Sequence, residues 1–332
     1  MTRLILTTSD SGSGALKGAR IADAVIGFGY RFVWGPLPSD TDIATSLMPL
    51  SSQHDQADDH WLLLIYRKHV GHIDSRTGLI DLCEPFDTIE LWIDPDPNAQ
   101  LILLWLLDYL RPHEKIVSKL NLVQADDPVG SHLSEDIAAW RIPATKILNG
   151  DLEIAGLAWQ AWRAPTPEAW FALLARDMTA LPYLRNTVIA LLEELPMRAT
   201  GLGATEMRML ELISEGDASP SDLFPGHEKR NERRVFGYWE VGALLDGLAR
   251  GPAPAVSGLD EGPFTLEKHD DRDRHARYKE SRLSLTEFGR AVLAGRDDFS
   301  RYNPIHRWWG GTELTSDNLW RWDPTNSTVI AP

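Results

Sequence analysis

The stretch TIELWIDPDPNAQLILLWLLDYLRP, residues 88–112, decides the fold class. It opens on Thr88–Ile93, a short run of apolar and β-forming side chains of strand length. Asp94, Pro95, Asp96, Pro97 and Asn98 follow, a concentration of turn formers that also supplies a helix cap. From Asn98 onward the chain is apolar almost all round and too long for an average strand, which predicts a buried helix that stops before Pro112. A further apolar run, IVSKLNLV at 116–123, predicts a second strand. Strand, helix and strand in this order make a parallel crossover, so the first 150 residues are expected to form an α/β domain with a small, mostly parallel sheet. LILTT at 4–8 and WLLLIY at 61–66 supply further strand candidates.

Ahead of this core, the first strand runs into TSDSGSGALKGA, a Ser/Gly turn leading into a helix. The start of such a helix offers unsatisfied backbone N–H groups that hold an anion, so Ser9, Ser11, Gly12 and Ser13 are candidate ligand contacts. Gly12, Gly14 and Gly18 are one residue off the dinucleotide-binding spacing, and no Gly-Lys-Ser/Thr of a phosphate loop is present. Asp10 would repel a phosphate, and a plain corner between strand and helix accounts for the same residues. In open α/β sheets ligands gather beyond the carboxyl ends of the strands, which makes Glu90, Trp92 and Gln100 candidates as well. Glu90 stands inside an apolar strand and demands a partner. Asp94 and Asp96 read first as turn and cap residues. As an acid or base, Glu90 or Asp10 would be the residue to test. HVGHID, with His69, His72 and Asp74, and the upstream His54 and His60, lack a third firm metal ligand, and surface or half-buried histidines are the expected reading.

From Leu152 to Pro196 the pattern turns helical, after one short helix in the preceding stretch. DDPVGSHLSEDIAAWRIP places Ser134 as a helix cap, and TPEAWFALLARDMTALP places Thr166 as another, with Pro167 at the first helical position. Residues 151–199 read as a helical bridge. Between 200 and 298 come three helices, GATEMRMLELISEG, SPSDLF and FGYWEVGALLDGLARG, then two strands, PAVSGL and SRLSLT, separated by the charged EKHDDRDRHARYKE. That order is a winged helix-turn-helix. A DNA-reading role is disfavoured by charge, since Thr200–Asp298 holds 14 Lys and Arg against 19 Asp and Glu. Only HEKRNERR and DRDRHARYK are locally basic. The tail, 299–332, concentrates Trp308, Trp309, Trp320 and Trp322 beside Arg307 and Arg321, and burial of the rings is the expected use.

The whole chain has 332 residues and a formal net charge of -15, a potential that opposes nucleic-acid backbones and anionic lipid. No apolar run approaches a membrane span, the first residues lack the apolar stretch of a secretory signal, and Cys83 is the single cysteine, so a cytoplasmic protein without internal disulfides is expected.

The segments TSDSGSGALKGA, FVWGPLPSD and IELWIDPDPNAQLILLWLLDYL together resemble the bacterial domain-of-unknown-function family 1835. Gly35-Pro36 and Glu90-Leu91-Trp92 match that family's pattern, whereas Thr8 or Ser9 stands where its first turn usually carries glycine. LEELPMRATGLGATEMRMLELI, LSLTEFGRAVLAGRDD and the HRWWGGTEL and WRWD segments look like its longer members. The resemblance implies the boundaries above and adds Trp34 and Gly35 to the candidate ligand residues; it implies no reaction. The expectation is a small-ligand-binding or sensing protein whose winged-helix-like module makes a protein contact or a regulated DNA contact. The alternatives are an enzyme, a hydrolase or transferase, acting in the same cleft, and an acidic scaffold for protein partners. No metal is expected, and no cofactor is specified.

Overall fold

In a computed structural model, residues 1–39, 42, 79–216, 219–224 and 234–332 are described. The strand expected at 61–66, the histidines 54, 60, 69 and 72 with Asp74, and most of HEKRNERR lie outside the described residues. The protein is a mixed α/β fold in two units. The first comprises Met1–Phe32, Leu37–Arg163 and Arg176–Arg185, and the second Val33–Pro36, Ala164–Ala175 and Asn186–Pro332.

The first unit begins with β1 (Arg3–Thr7), α1 (Asp10–Ala19), β2 (Ala24–Gly27), α2 (Leu79–Cys83), β3 (Thr88–Ile93) and α3 (Pro97–Leu110). It continues through α4 (Glu114–Val117), β4 (Leu120–Gln124), a 3-10 turn (Val129–Ser131), α5 (Ser134–Ala139), β5 (Thr145–Lys146) and α6 (Asn149–Trp162). The sheet order is β2-β1-β3-β4-β5, with the first four strands parallel and β5 antiparallel to β4. The quoted stretch folds as expected, with Asp96 capping α3 by accepting from the Ala99 N–H at 3.1 Å. The strand expected from residue 116 starts later, at Leu120, because Glu114–Val117 first forms a helical turn that buries Ile116. Ser134 is the first residue of α5 rather than its cap, a position taken by Leu133.

Both faces of the sheet are covered. On one, Ile5, Trp92 and Val123 pack with Leu16 of α1 and Ile137 of α5. The strand period of two turns Leu4, Leu6, Ile89 and Leu91 to the other face, and all four are fully buried. α3 is buried on nearly every side and packs against β3 and α6. Phe28, Tyr30 and Phe32 form a row whose rings lie 5.7, 5.1 and 5.8 Å from Trp105 of α3. Asn98 fixes that row, accepting from the Phe32 N–H and donating to the Tyr30 carbonyl, each at 2.8 Å.

The second unit contains α7 (Glu168–Ala172), most of α8 (Leu184–Leu192), α9 (Ala204–Ser214), a 3-10 turn (Pro220–Leu223) and α10 (Tyr238–Arg250). Then come β6 (Val256–Ser257), α11 (Leu266–Asp270), α12 (Arg272–Glu280), β7 (Ser284–Leu285) and α13 (Glu287–Leu293). β6 and β7 pair antiparallel, so α9, the 3-10 turn, α10 and this pair follow the order of a winged helix. One expected cap shifts: Thr166 stands ahead of α7, and Pro167 occupies the cap position. The charged stretch between the wing strands is folded into α11 and α12, capped by Thr265 and Asp271 through their side chains. Lys268 from this stretch is fully buried, its ammonium 3.9 Å from the Phe264 ring centre and 3.4 Å from that of Tyr278.

The Trp-rich tail folds into two hairpins, β8 (His306–Trp309) with β9 (Thr312–Thr315) and β10 (Arg321–Asp323) with β11 (Thr328–Ile330). Trp309, Trp320 and Trp322 are buried, and the Trp309 indole donates to the Leu191 carbonyl at 2.7 Å. Arg321 pairs with Asp298 at 3.1 Å, while Asp323 pairs with Arg198 at 3.2 Å. No described helix is long and apolar enough to cross a membrane.

Candidate functional site

The parallel register of β1 and β3 sets Ile5 beside Glu90 and Thr7 beside Trp92, so Arg3, Ile5, Glu90 and Trp92 share the sheet face that α1 and α5 cover. Arg3, at the start of β1, is the partner that Glu90 demands: its Nη2 forms an ion pair with Glu90 Oε2, and its Nη1 donates to the Ile21 carbonyl at 2.9 Å. The same Glu90 oxygen accepts the Trp92 indole N–H at 2.7 Å. Glu90 is thereby buried and matched, the arrangement required of an acid in an apolar strand.

These side chains form the floor of a cavity of about 150 Å³, walled by Ile21, Ile137 and Ile142 and by Trp140 and Arg141, which follow α5. The Trp92 and Trp140 rings are parallel, 6.5 Å apart at their centres. Arg141 is exposed, and its Nη1 donates to the Ala138 and Trp140 carbonyls of its own turn. The Arg3 Nε is buried and has no hydrogen-bond acceptor among the described residues.

The carboxyl ends of β1 and β3 mark the point where the strand order reverses, the usual ligand position in such sheets. Here the chain itself fills it. Ser9 caps α1 by accepting from the Gly12 N–H at 3.2 Å, and its hydroxyl donates to Asp94 at 3.3 Å. The other Asp94 oxygen accepts from the Val129 N–H at 2.8 Å, which draws the 129–131 turn over the start of α1. The approach is so close that a Cβ on Gly130 would collide with the Ser11 side chain and lie 2.9 Å from the Gly12 nitrogen. Burial is the main cause that pushes the Asp94 carboxyl up to about 6, with the neighbouring Asp96 acting in the same direction. Asp96, half-buried, is raised as well, chiefly by desolvation.

The sequence candidates therefore separate. Glu90 and Trp92 line the cavity, whereas Ser9, Ser11, Gly12 and Ser13 belong to the closed turn and are not among its lining residues. Asp10 is exposed in the first turn of α1, away from the lining. Gln100 is buried and structural, donating to the Asp94 carbonyl at 2.8 Å and accepting from Gln124 at 3.2 Å. Trp34 belongs to the second unit, edge-on to Phe236 at 5.8 Å, and Gly35 has φ +68°, a backbone conformation that favours glycine. Arg3, Trp140 and Arg141 were not singled out by sequence. Arg3 was within reach of pattern reasoning, because a basic residue in a buried strand is the natural partner of a lone strand acid; nothing local marked Trp140.

In the second unit, Arg274 and Arg277 of the wing both pair with Glu261, at 3.3 and 2.6 Å. The exposed residues of α10 are Gly247 and Arg250, and Arg250 pairs with Asp246 at 3.2 Å. Comparison of the sequence with protein-family models and with curated proteins finds no match.

Proposed function

We propose that this chain is a ligand-binding or sensing protein whose α/β unit takes a small organic molecule into the cavity over Glu90 and Trp92. The observation that carries the reading is the combination of a concave, partly apolar space with few polar groups, each held in place: the Arg3–Glu90–Trp92 network on its floor and Trp140 and Arg141 at its mouth. Such a mixture of aromatic wall and fixed polar group is the usual make-up of a small-molecule site. Membership of family 1835, a cytoplasmic location and a protein-contact role for the winged-helix-like unit are parts of the same proposal. The last is supported by the wing arginines already paired with Glu261 and by an outer face of α10 whose exposed residues are Gly247 and Arg250, the latter already engaged by Asp246.

The test is a thermal-shift screen of the full chain against amino acids, organic acids, sugar phosphates and nucleotides, repeated on Trp140→Ala and Ser11→Ala variants. Saturation at about a hundred times Kd stabilises a protein by about 2.7 kcal/mol, a rise of several degrees. A stabilising compound whose effect is lost in Trp140→Ala and kept in Ser11→Ala is the expected result. A hit lost only in Ser11→Ala moves the site to the α1 turn, and a screen without hits overturns the reading.

A further inference from the structure

We infer that the ligand of this cavity is a small aromatic carboxylate, an inference that rests on the proposed binding role and names its chemistry. Three properties of the site converge on that class: size, wall and charge. A volume of about 150 Å³ is that of a cavity which takes up a single benzene-sized ring, well short of what a whole nucleotide would fill. The wall consists of Trp92, Trp140, Ile21, Ile137 and Ile142, surfaces against which a flat ring is favoured over a polar chain.

Charge selects the substituent. Glu90 is already matched by Arg3 and by the Trp92 N–H, so the acid on the cavity floor presents no demand for a cation. A cationic ligand would have to displace Arg3 from it, leaving a half-buried guanidinium without its counter-ion. Arg141 pairs with no carboxylate among the described residues, and its recorded hydrogen bonds run to carbonyls of its own turn through one nitrogen, Nη1. The lining thus carries two guanidinium groups and one carboxylate, a net charge of one positive. Arginine is also the side chain whose planar array of donors best suits a carboxylate. A ring lying against the tryptophans and isoleucines, with its carboxylate toward Arg141, satisfies all three conditions.

The probes are benzoate, phenol and benzylamine, three ligands of one ring size and different charge, titrated into the full chain with intrinsic Trp fluorescence and calorimetry as readouts. Benzoate is expected to bind at least tenfold more tightly than the other two. Trp140→Ala is expected to abolish its binding. Arg141→Gln, a change at an exposed side chain that leaves the fold intact, is expected to weaken it at least tenfold. Phenol or benzylamine binding as tightly as benzoate, with the same dependence on Trp140, overturns the carboxylate assignment and leaves the cavity reading standing. Benzoate binding that neither variant alters is surface binding and overturns the assignment as well. If none of the three binds but the broader screen yields a compound lost in Trp140→Ala, the assignment alone falls; if that screen is also empty, both fall.

Discussion

Replacing Asp94 by Asn would isolate the energetic cost of closing the sheet's switch point with a carboxylate. The side chain is 3% exposed, and burial is the main cause that lifts its pKa from 3.8 to about 6, against the hydrogen bonds it accepts from the Val129 N–H and the Ser9 hydroxyl. In the unfolded chain the same carboxyl loses its proton near 3.8. Between those two values the folded state holds a proton that the unfolded state has released, so stability contributed by this residue falls as pH rises from 3.8 to about 6 and is constant above that. The gap corresponds to about 3 kcal/mol at neutral pH, an upper figure for a group that retains two hydrogen bonds. Asn keeps an acceptor for Val129 and offers an amide to the Ser9 oxygen, without the charge. Urea unfolding of wild type and Asp94→Asn, followed by circular dichroism from pH 3.5 to pH 8, should show a stability difference that grows in favour of the variant through this window and then levels off at up to about 3 kcal/mol. A difference that is independent of pH, or that shrinks as pH rises, refutes the assignment of a desolvated carboxylate at this position.

Two further outcomes follow from the same kind of reasoning. Lys268 is buried, and desolvation pulls its amine down to about 8 from 10.5, so the folded protein gives up that proton before the unfolded chain does and wild-type stability gains from this residue as pH climbs from 8 to 10.5. Lys268→Met, an unbranched apolar side chain one atom shorter and without the charge, should be more stable at pH 7 and should lack that gain, as read by Tm at pH 7 and pH 9.5. Gly130→Ala should cost about 1–3 kcal/mol because its methyl has nowhere to go between Ser11 and Gly12, whereas Gly14→Ala, in α1 with nothing within 4 Å of the new Cβ, should add up to about 1 kcal/mol; paired urea titrations check both.

What was legible in the sequence was what depends on neighbours along the chain. Residues 88–112 declared strand, turn and buried helix because strand period, proline placement and an unbroken apolar run all pointed one way, and the structure has β3 and α3 there. Glu90 announced itself by contrast with its surroundings. Its partner did not, because Arg3 is 87 residues away and meets it only through the β1–β3 register. Trp140 was equally silent, since its place over Trp92 depends on where the chain goes after α5. Nothing in the sequence marked Lys268 for burial, for a related reason. Its local neighbours are charged, and only the folding of residues 266–280 into α11 and α12 brings it between two aromatic rings.

The two places a ligand was sought illustrate how a general rule for a fold yields to the chain that carries it. The rule for open α/β sheets selects the carboxyl ends of β1 and β3, and it rests on free helix N–H groups and an open crevice. Both conditions fail here through identifiable residues: the Ser9 side chain consumes a helix-start N–H, Asp94 recruits Val129, and the absence of a side chain at Gly130 lets the turn settle onto Ser11 and Gly12. The positive end of α1 thus faces the protein's own chain rather than an anion. Lower on the same sheet face the opposite holds. The short α5 ends at Ala139, and the chain that follows it leaves a gap between Trp140 and the floor formed by Arg3, Glu90 and Trp92. The cavity is therefore set by where α5 stops, and its floor is formed by side chains that parallel register assembles on the sheet face beneath it.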